Sequence, residues 1–396
     1  MQNKKNLWFI VGITILNAIG MTIVLPLFPF LLEKYVANTK IAATMSLLVS
    51  IFAICQFFAA PIFGTLSDRF GRKPILLISL LGSVIGYLLL GIGGALWILF
   101  LGRIIDGITA GNQSALFAYI SDTTEPHERG KWFGYLGGAN GLGFMVGPAI
   151  GGLLGAKSIT LPFYVTAIIT FISIACIFIF VPESLTTEKR TKQITWKSFN
   201  TFTHLKEIFS IKTAKSLIIM GAFFYIGLGI WQFNASIFLK DVFKWGPEFI
   251  GGVFVLVGIC DILSRVIILP QMLKKYSEQT VGIIGLLGLV VGLGLLFISA
   301  FITSVFFIVG AVACIVLGEG LFDPSYNARL SNTVTEDKQG LLQGTSQSLQ
   351  ALYHVLVPLG AAAIYSYNKA TVFGIATILM ICGLLLFINM NNNNNS

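Results

Sequence analysis

Twelve apolar stretches, each about as long as a membrane-spanning helix, dominate this sequence of 396 residues. A hydrocarbon core about 30 Å thick needs roughly 20 apolar residues per helix, and lipid satisfies no exposed backbone polar group. Only 11% of the residues are charged, against about 25% in a typical soluble domain. The sequence therefore predicts an all-α polytopic membrane protein and excludes a soluble enzyme or a secreted disulfide scaffold. The predicted spans are 7–31, 42–64, 75–96, 97–119, 132–155, 162–182, 216–239, 248–270, 280–301, 303–325, 341–365 and 370–389.

Basic residues in the connecting segments predict the orientation of these spans. With the N-terminus in the cytoplasm, 18 of the 26 Lys and Arg residues fall on the cytoplasmic side and six on the outer side. This asymmetry is typical of the plasma or inner membrane, with both termini cytoplasmic. It also explains the net charge of +9 without a nucleic-acid partner.

An internal repeat divides the chain. Shifting the sequence by 210 residues aligns Ser121 with Ser331, Thr123 with Thr333 and Pro148 with Pro358, among other matches. Two six-helix halves that both start inside form a parallel repeat, as in one class of secondary transporters. We expect an N-terminal bundle (1–182), a cytoplasmic linker (183–215), a C-terminal bundle (216–389) and a disordered tail (390–396).

The loop GTLSDRFGRKP, residues 64–74, combines glycines, one acid and three bases at the cytoplasmic surface. We expect Gly64 to let two helices approach and Gly71 to permit a tight turn. Ordinary positive-inside charge would explain the bases but neither the acid nor the glycines. The candidate functional residues of this loop are Gly64, Asp68, Arg69, Gly71, Arg72 and Lys73.

The fifth span reads GLGFMVGPAIGG. Gly143, Gly147 and Gly151 recur every four residues and share one helix face, followed by Gly152, while Pro148 is expected to bend the helix. Close packing of membrane helices would explain the glycines alone. The Gly-Pro pair favours a more specific motif.

Charged residues inside spans are expensive and usually face the bundle interior or water. Arg103 and Asp106 share a face of the fourth span, either as a static ion pair or as a site of proton transfer. Glu319 and Asp323 share a face of the tenth span, and we treat them as unpaired acids that bind a proton or a cation. Asp261 and Arg265 on the eighth span are interpreted as a separate structural pair.

Amides and aromatic residues within the spans are candidates to line a substrate cavity, although each could serve only as an interhelical hydrogen bond. These candidates are Asn17, Gln113, Asn140, Trp231, Gln232, Asn234, Gln350 and Tyr353.

The loop and the fifth span carry a family resemblance. GTLSDRFGRKPIL resembles the conserved GxLxDRxGRKxxL loop of the major facilitator superfamily, and GLGFMVGPAIGG is similar to the signature of its drug–proton antiporters. The segments NAIGMTIVLPLFPFLL and SDTTEPHERGKWFGYLGGAN resemble the TetA-type tetracycline–proton antiporters. The resemblance implies twelve helices in two pseudo-symmetric bundles, a latch at Asp68 and a link between Arg103 and proton transfer.

Three positions depart from that subfamily. It carries intramembrane aspartates where this chain has Asn17 and Gly86, and a third near Leu289. These acids serve drug and proton handling there, so their absence weakens tetracycline as the substrate while leaving fold and antiport chemistry in place.

Together these features predict a secondary transporter that exports an amphipathic small molecule or drug by alternating access, in exchange for protons. Proton-coupled uptake of a nutrient or siderophore by the same fold is the alternative. No nucleotide-binding or hydrolase motif is present, so we expect neither an enzyme nor a cofactor or metal site. The partners are the proton, the solute and the bilayer, and we expect a monomer.

Overall fold

A computed structural model describes residues 2–110, 112–186, 190, 212–331, 333 and 339–392. Side chains are described in these ranges except at 2–5, 60–61, 112–114, 126–131, 133–134, 212–214, 339–345, 347–348, 351 and 391–392. Most of the predicted linker and residues 393–396 of the predicted tail lie outside this description. Every regular element within it is helical, as the composition predicts.

The chain forms two compact units. Unit 1 comprises Met1–Phe199 with Gly246–Val255, and unit 2 comprises Asn200–Trp245 with Leu256–Ser396. The helices of unit 1 are α1 (Gln2–Ile23), α2 (Phe28–Leu32), α3 (Ile41–Phe70), α4 (Arg72–Ile92), α5 (Leu96–Ile108), α6 (Asn112–Thr123), α7 (Pro126–Lys157) and α8 (Leu161–Phe180).

The remaining helices belong to unit 2, apart from the first turns of α10. They are α9 (Lys212–Phe243), α10 (Pro247–Ile262), α11 (Leu269–Leu273), α12 (Glu278–Ser299), α13 (Val305–Ser331), α14 (Gln339–Tyr367) and α15 (Thr371–Asn392). The first turns of α10 belong to unit 1. A π-helical turn, Leu263–Ile268, continues α10 into α11.

Ten helical segments of the described chain are long and apolar enough to cross a membrane, and a shorter apolar segment, Leu352–Tyr367, lies within α14. Large apolar side chains on their outer faces, such as Phe178 and Phe306, are exposed. This surface suits lipid rather than water. The multi-pass membrane fold is confirmed, whereas the count of twelve spans is not reproduced one for one.

The predicted span 97–119 is divided into α5 and α6, and the predicted span 341–365 is represented only by the shorter segment in α14. The helix α5 ends at Ile108, and the carbonyl of the next residue, Thr109, accepts a hydrogen bond from the Ser79 hydroxyl. The Thr109 hydroxyl in turn donates to the carbonyl of Ile105 at 2.8 Å. Both charged residues of this span, Arg103 and Asp106, therefore lie in the last two turns of α5.

Candidate functional site

The turn between α3 and α4 is built around a carboxylate from the end of α8. Gly71 has a φ of +105°, a conformation that glycine adopts without strain. A Cβ at Gly71 would collide with the Glu183 carboxylate. That carboxylate accepts hydrogen bonds from the backbone N–H groups of Arg72 at 2.8 Å and Lys73 at 3.1 Å. Glu183 thereby satisfies the first turn of α4, a favourable place for an anion.

Arg72 joins the same turn to two further helices. Its guanidinium contacts Asp68 on α3 at 2.5 Å and Asp122 on α6 at 2.8 Å. The side chain of Arg72 is 9% exposed, whereas that of Asp68 is 52% exposed. Asp68 therefore retains an accessible carboxylate while its partner is fixed. The sequence analysis identified Asp68 and Arg72 but missed Asp122 and Glu183, which are distant in the chain.

The remaining loop residues have separate contacts. The Lys73 ammonium donates to the carbonyl of Phe178 at 2.9 Å, and the Arg69 guanidinium lies 5.4 Å from the ring centre of Phe70. A Cβ at Gly64 would have no neighbour within 4 Å among the described residues. That Gly64 lets two helices approach stays a prediction.

The glycines of α7 form its contact with α1. A Cβ at Gly147 would lie 2.8 Å from the carbonyl oxygen of Ile19, and one at Gly151 would collide with the carbonyl of Ile23. Gly143 faces Ala18 in the same way. The Thr22 hydroxyl donates to the carbonyl of Gly143 at 2.7 Å across this contact. The shared face predicted from the four-residue spacing is thus the face on which α1 packs.

A second face of α7 meets the first turns of α10. A Cβ at Gly152 would lie 2.6 Å from the carbonyl oxygen of Pro247 and 3.0 Å from the Cα of Gly251. A Cβ at Gly251 would lie 2.7 Å from the carbonyl oxygen of Pro148. Glycines on both helices therefore permit backbone contact here. Gly251 was missed because its partner is distant in sequence.

Arg103 and Asp106 form an enclosed pair at the centre of unit 1. Their charged groups are 3.3 Å apart, and the two side chains are 10% and 8% exposed. The Ser83 hydroxyl donates to the second carboxylate oxygen of Asp106 at 2.7 Å. Arg103 donates from Nε to the carbonyl of Leu48 at 3.3 Å.

Aromatic rings complete the surroundings of this arginine. The Arg103 guanidinium carbon lies 4.0 Å from the ring centre of Phe52 and 5.7 Å from that of Phe28. A cation over aromatic faces is stabilised by their quadrupoles. One carboxylate, one carbonyl and two rings therefore satisfy the guanidinium with little access for solvent.

A second arginine organises unit 2 in a different way. The Arg265 guanidinium lies 2.6 Å from Asp261, 3.5 Å from Asp323 and 3.9 Å from Glu319. The four side chains are 22% to 36% exposed. Treating Glu319 and Asp323 as unpaired acids, separate from an Asp261–Arg265 pair, was wrong, because Arg265 faces both helices. We call these four residues the acidic cluster.

The two acids of α13 have unequal hydrogen-bond partners. Asp323 accepts from the side-chain amide of Asn327 at 3.0 Å and from the hydroxyl of Tyr225 at 3.4 Å. No hydrogen bond to the Glu319 carboxylate is found in the described part of the chain. Arg265 itself lies in the π-helical turn, an irregularity often found at functional sites.

Polar and aromatic residues extend the acidic cluster towards α14. The Gln350 amide donates to the Tyr225 hydroxyl at 2.9 Å. The rings of Tyr225 and Tyr353 stack at 6.0 Å with an interplanar angle of 19°. The structure therefore joins two predicted cavity residues, Gln350 and Tyr353, to the predicted acids through Tyr225, which sequence analysis missed.

The other cavity candidates are not part of this group. Trp231 and Asn234 are buried in α9, and Asn234 donates to the carbonyl of its own turn at Ile230. Gln232 is exposed. Asn140 also bonds within its helix, to the carbonyl of Leu136.

Two candidates of unit 1 remain. The amide nitrogen of Asn17 is buried and has no hydrogen-bond partner within the described ranges. Gln113 lies in α6, but its side chain is outside the described residues.

The positions that depart from the TetA-type pattern are packing positions. A Cβ at Gly86 would lie 2.8 Å from the Cβ of Asp106 and 2.9 Å from the carbonyl oxygen of Gly102. Leu289 is fully buried against Gly318. A side chain at Gly86 would have no room without a shift of α5. An aspartate at Leu289 would be smaller than the leucine, but it would place a charge at a fully buried position.

No group of His, Cys, Asp and Glu residues in the described part of the chain has the arrangement of a metal site. The long apolar helices define the class as a polytopic membrane protein, and charged residues inside such helices usually mark an ion or solute pathway. The profile of the Major Facilitator Superfamily matches residues 10–358. The chain belongs to this superfamily.

Individual proteins agree with that assignment. The chain is 35% identical to the class H tetracycline resistance protein of Pasteurella multocida, over 97% of its length and 94% of the relative. It is 33% identical to the class C tetracycline resistance protein of Escherichia coli, over 96% of this chain and 94% of the relative. The fold also resembles the crystal structure of the human organic anion transporter MFSD10 (TETRAN), with a TM-score of 0.74 and 21% sequence identity. The match covers 97% of this chain and 99% of the transporter chain.

Proposed function

We propose that this protein exports an amphipathic small molecule, of the kind used as a drug, in exchange for protons by alternating access. The observation that carries the proposal is the acidic cluster, in which three carboxylates share one guanidinium. With every group ionised, the cluster would hold a net charge of about −2 within an apolar helix bundle, so binding a proton or a cationic solute there is favourable.

Glu319 is the group that exchanges the proton. It is the acid farthest from Arg265, at 3.9 Å. Asp323 is held in its ionised form by Arg265 and by the donors Asn327 and Tyr225. Hydrogen bonds to the charged form favour that form. The proton therefore resides on Glu319 when the site holds no solute.

Exchange follows from competition for the same charge. A bound solute that supplies positive charge or hydrogen-bond donors stabilises the ionised cluster and releases the proton, and a returning proton releases the solute. An inward proton gradient then drives export, and no cofactor is needed. Uptake is not favoured, since the relatives are named as resistance proteins.

We assign the remaining motifs to support of this exchange. The enclosed Arg103–Asp106 pair fixes α4 against α5, so its role is packing rather than proton transfer. The exposed carboxylate of Asp68 serves as the latch, with Arg72, Asp122 and Glu183 fixing its position. The glycines and Pro148 of α7 hold α1 and the start of α10.

We further propose that the protein works as a monomer in the plasma (inner) membrane, with both termini in the cytoplasm. The excess of basic residues in the predicted cytoplasmic segments supports this orientation.

The test uses inside-out membrane vesicles with an acid interior. Tetracycline and tetraphenylphosphonium are added separately, and interior pH is followed with a quenched dye. Dissipation of the gradient that requires the protein supports antiport and defines the solute class. Loss of the effect in Glu319→Gln, with the variant present in the membrane at wild-type level, supports the acidic cluster as its site. If neither compound dissipates the gradient but both accumulate in vesicles without one, the coupling proposal is wrong.

A further inference from the structure

The hydroxyl of Tyr225 lies between a charged group and an amide on different helices. It donates to a carboxylate oxygen of Asp323 on α13 at 3.4 Å and accepts from the side-chain amide of Gln350 on α14 at 2.9 Å. Tyr225 itself belongs to α9. One hydroxyl thus connects three helices of unit 2, and it connects the acidic cluster to a predicted cavity residue.

The number of donors and acceptors on each group fixes the direction of these two hydrogen bonds. A phenol has one proton to donate, whereas an ionised carboxylate only accepts. While Asp323 is charged, the phenol proton points at Asp323, and the phenol oxygen accepts from the Gln350 NH2 group. The carbonyl oxygen of Gln350 is then turned away from Tyr225, where it can accept a hydrogen bond from a solute.

We infer that Tyr225 is a positioning residue that makes the hydrogen-bond polarity of Gln350 depend on the charge of the acidic cluster. When Asp323 is neutral, its O–H donates to the phenol oxygen. The phenol proton turns to Gln350, whose amide rotates so that its oxygen accepts from Tyr225 and its NH2 group faces the solute. A solute that donates hydrogen bonds, such as an ammonium or hydroxyl compound, is bound in the charged state and released in the neutral one.

This inference rests on the proposed antiport, and the groups around Asp323 support it. Arg265 faces it from the π-helical turn and is shared with Asp261, while Glu319 lies one turn away on α13 and Tyr326 follows on the same helix. A proton on Glu319 leaves Arg265 shared between two charged acids instead of three. Arg265 then interacts more strongly with Asp323 and weakens its contact with Tyr225. The stronger contact with Arg265 favours the ionised form of Asp323, so the Gln350 amide turns only when Asp323 itself takes up a proton, at a lower pH than Glu319.

The geometry suits a contact that is easily exchanged. At 3.4 Å, the Tyr225–Asp323 hydrogen bond is longer than the usual range for hydroxyl donors, and the Gln350–Tyr225 bond is of ordinary length. Stacking of Tyr225 on Tyr353 holds the ring in place while its hydroxyl changes partner.

Tyr225→Phe tests the inference because it removes the hydroxyl and keeps the ring. Tyr365→Phe is the matched control: the Tyr365 hydroxyl donates to Asp241 at 3.3 Å, so the same kind of bond is lost at a carboxylate paired with Lys369. Purified full-length protein is titrated with tetracycline, which has hydrogen-bond donors, and with tetraphenylphosphonium, which has none, across a range of pH.

We expect wild-type affinity for tetracycline to fall as the pH is lowered, by about threefold to tenfold beyond any fall for tetraphenylphosphonium, the equivalent of about one hydrogen bond. Tyr225→Phe removes this difference between the two compounds, and Tyr365→Phe retains it. An unchanged difference in Tyr225→Phe would overturn the inference.

Infrared difference spectra between high and low pH give a readout without any solute. The carboxyl band that disappears in Asp323→Asn identifies Asp323. We expect that band to shift in Tyr225→Phe and to stay in place in Tyr365→Phe. An unshifted band in Tyr225→Phe overturns the inference even if the wild-type protein binds neither compound, a result that would instead count against the proposed transport of these solutes.

Discussion

Arg103 of unit 1 and Arg265 of unit 2 both lie within predicted spans, and the two arginines have opposite surroundings. Arg103 in unit 1 has one carboxylate partner, two aromatic rings and side-chain exposure of 10%. Arg265 in unit 2 faces three carboxylates and is 36% exposed. An enclosed pair whose two charges cancel gains little by binding or losing a proton. A more accessible cluster with an excess of negative charge is stabilised when it binds one. In the proposed function, charge balance rather than the presence of a buried charge separates the packing site from the exchange site.

The largest expected effect is the loss of proton coupling in Glu319→Gln. The amide keeps the shape of the side chain but cannot exchange a proton, so drug-driven dissipation of a pH gradient should vanish while exchange of labelled for unlabelled drug persists. Asp106→Asn is the comparison variant in unit 1, and we expect it to keep coupling. Coupling that survives in Glu319→Gln would remove the distinction between the two sites.

Stability should respond in the opposite order. Arg103→Ala leaves Asp106 buried without its counter-charge, and we expect it to destabilise the protein by about 3–5 kcal/mol. Arg265→Ala removes a charge from a partly exposed cluster that can take up a proton instead, so its loss in stability should be smaller. Thermal unfolding of both variants in the same detergent gives the comparison. An equal loss of stability in the two variants would show that the surroundings of Arg103 and Arg265 do not differ as described.

Packing around Asp106 provides a weaker perturbation. An alanine at Gly86 brings its Cβ within 2.8 Å of the Asp106 Cβ and 2.9 Å of the Gly102 carbonyl oxygen. Overpacking of this kind typically destabilises by about 2 kcal/mol. Gly64→Ala is the control, because a Cβ there has open space among the described residues. Similar unfolding temperatures for the two variants would argue against a tightly packed unit 1 site.

The smallest expected effect concerns Ser83. Its hydroxyl donates to Asp106 at 2.7 Å, and Ser83→Ala should lower the free energy of unfolding by about 1 kcal/mol, as for a typical hydrogen bond. Transport should be retained, since the Arg103 contact remains. A large loss of transport in Ser83→Ala, with normal stability, would instead assign Asp106 an active part in exchange.

Local sequence patterns predicted the features that depend on near neighbours. Hydropathy predicted the helices, and the four-residue spacing of Gly143, Gly147 and Gly151 predicted the face that contacts α1. The spacing of Arg103 and Asp106 predicted their pairing. Each of these follows from helix periodicity alone.

Features that depend on which helices are neighbours could not be read in this way. Arg265 reaches the acids of α13 only because the π-helical turn and α13 are adjacent, so the sequence analysis assigned them to two unrelated groups. Glu183 caps α4 from more than a hundred residues away, and Tyr225 joins Asp323 to Gln350 across three helices. At the end of α5, the carbonyl of Thr109 likewise accepts a hydrogen bond from a distant residue, Ser79.

The most direct test of the central claim is the count of protons released when purified protein binds drug in weakly buffered solution. Tetraphenylphosphonium carries no titratable proton, so every proton released with it comes from the protein. We predict release by the wild-type protein and by Asp106→Asn, and none by Glu319→Gln. Release that persists in Glu319→Gln and disappears in Asp106→Asn would contradict the account and transfer the exchange site to unit 1.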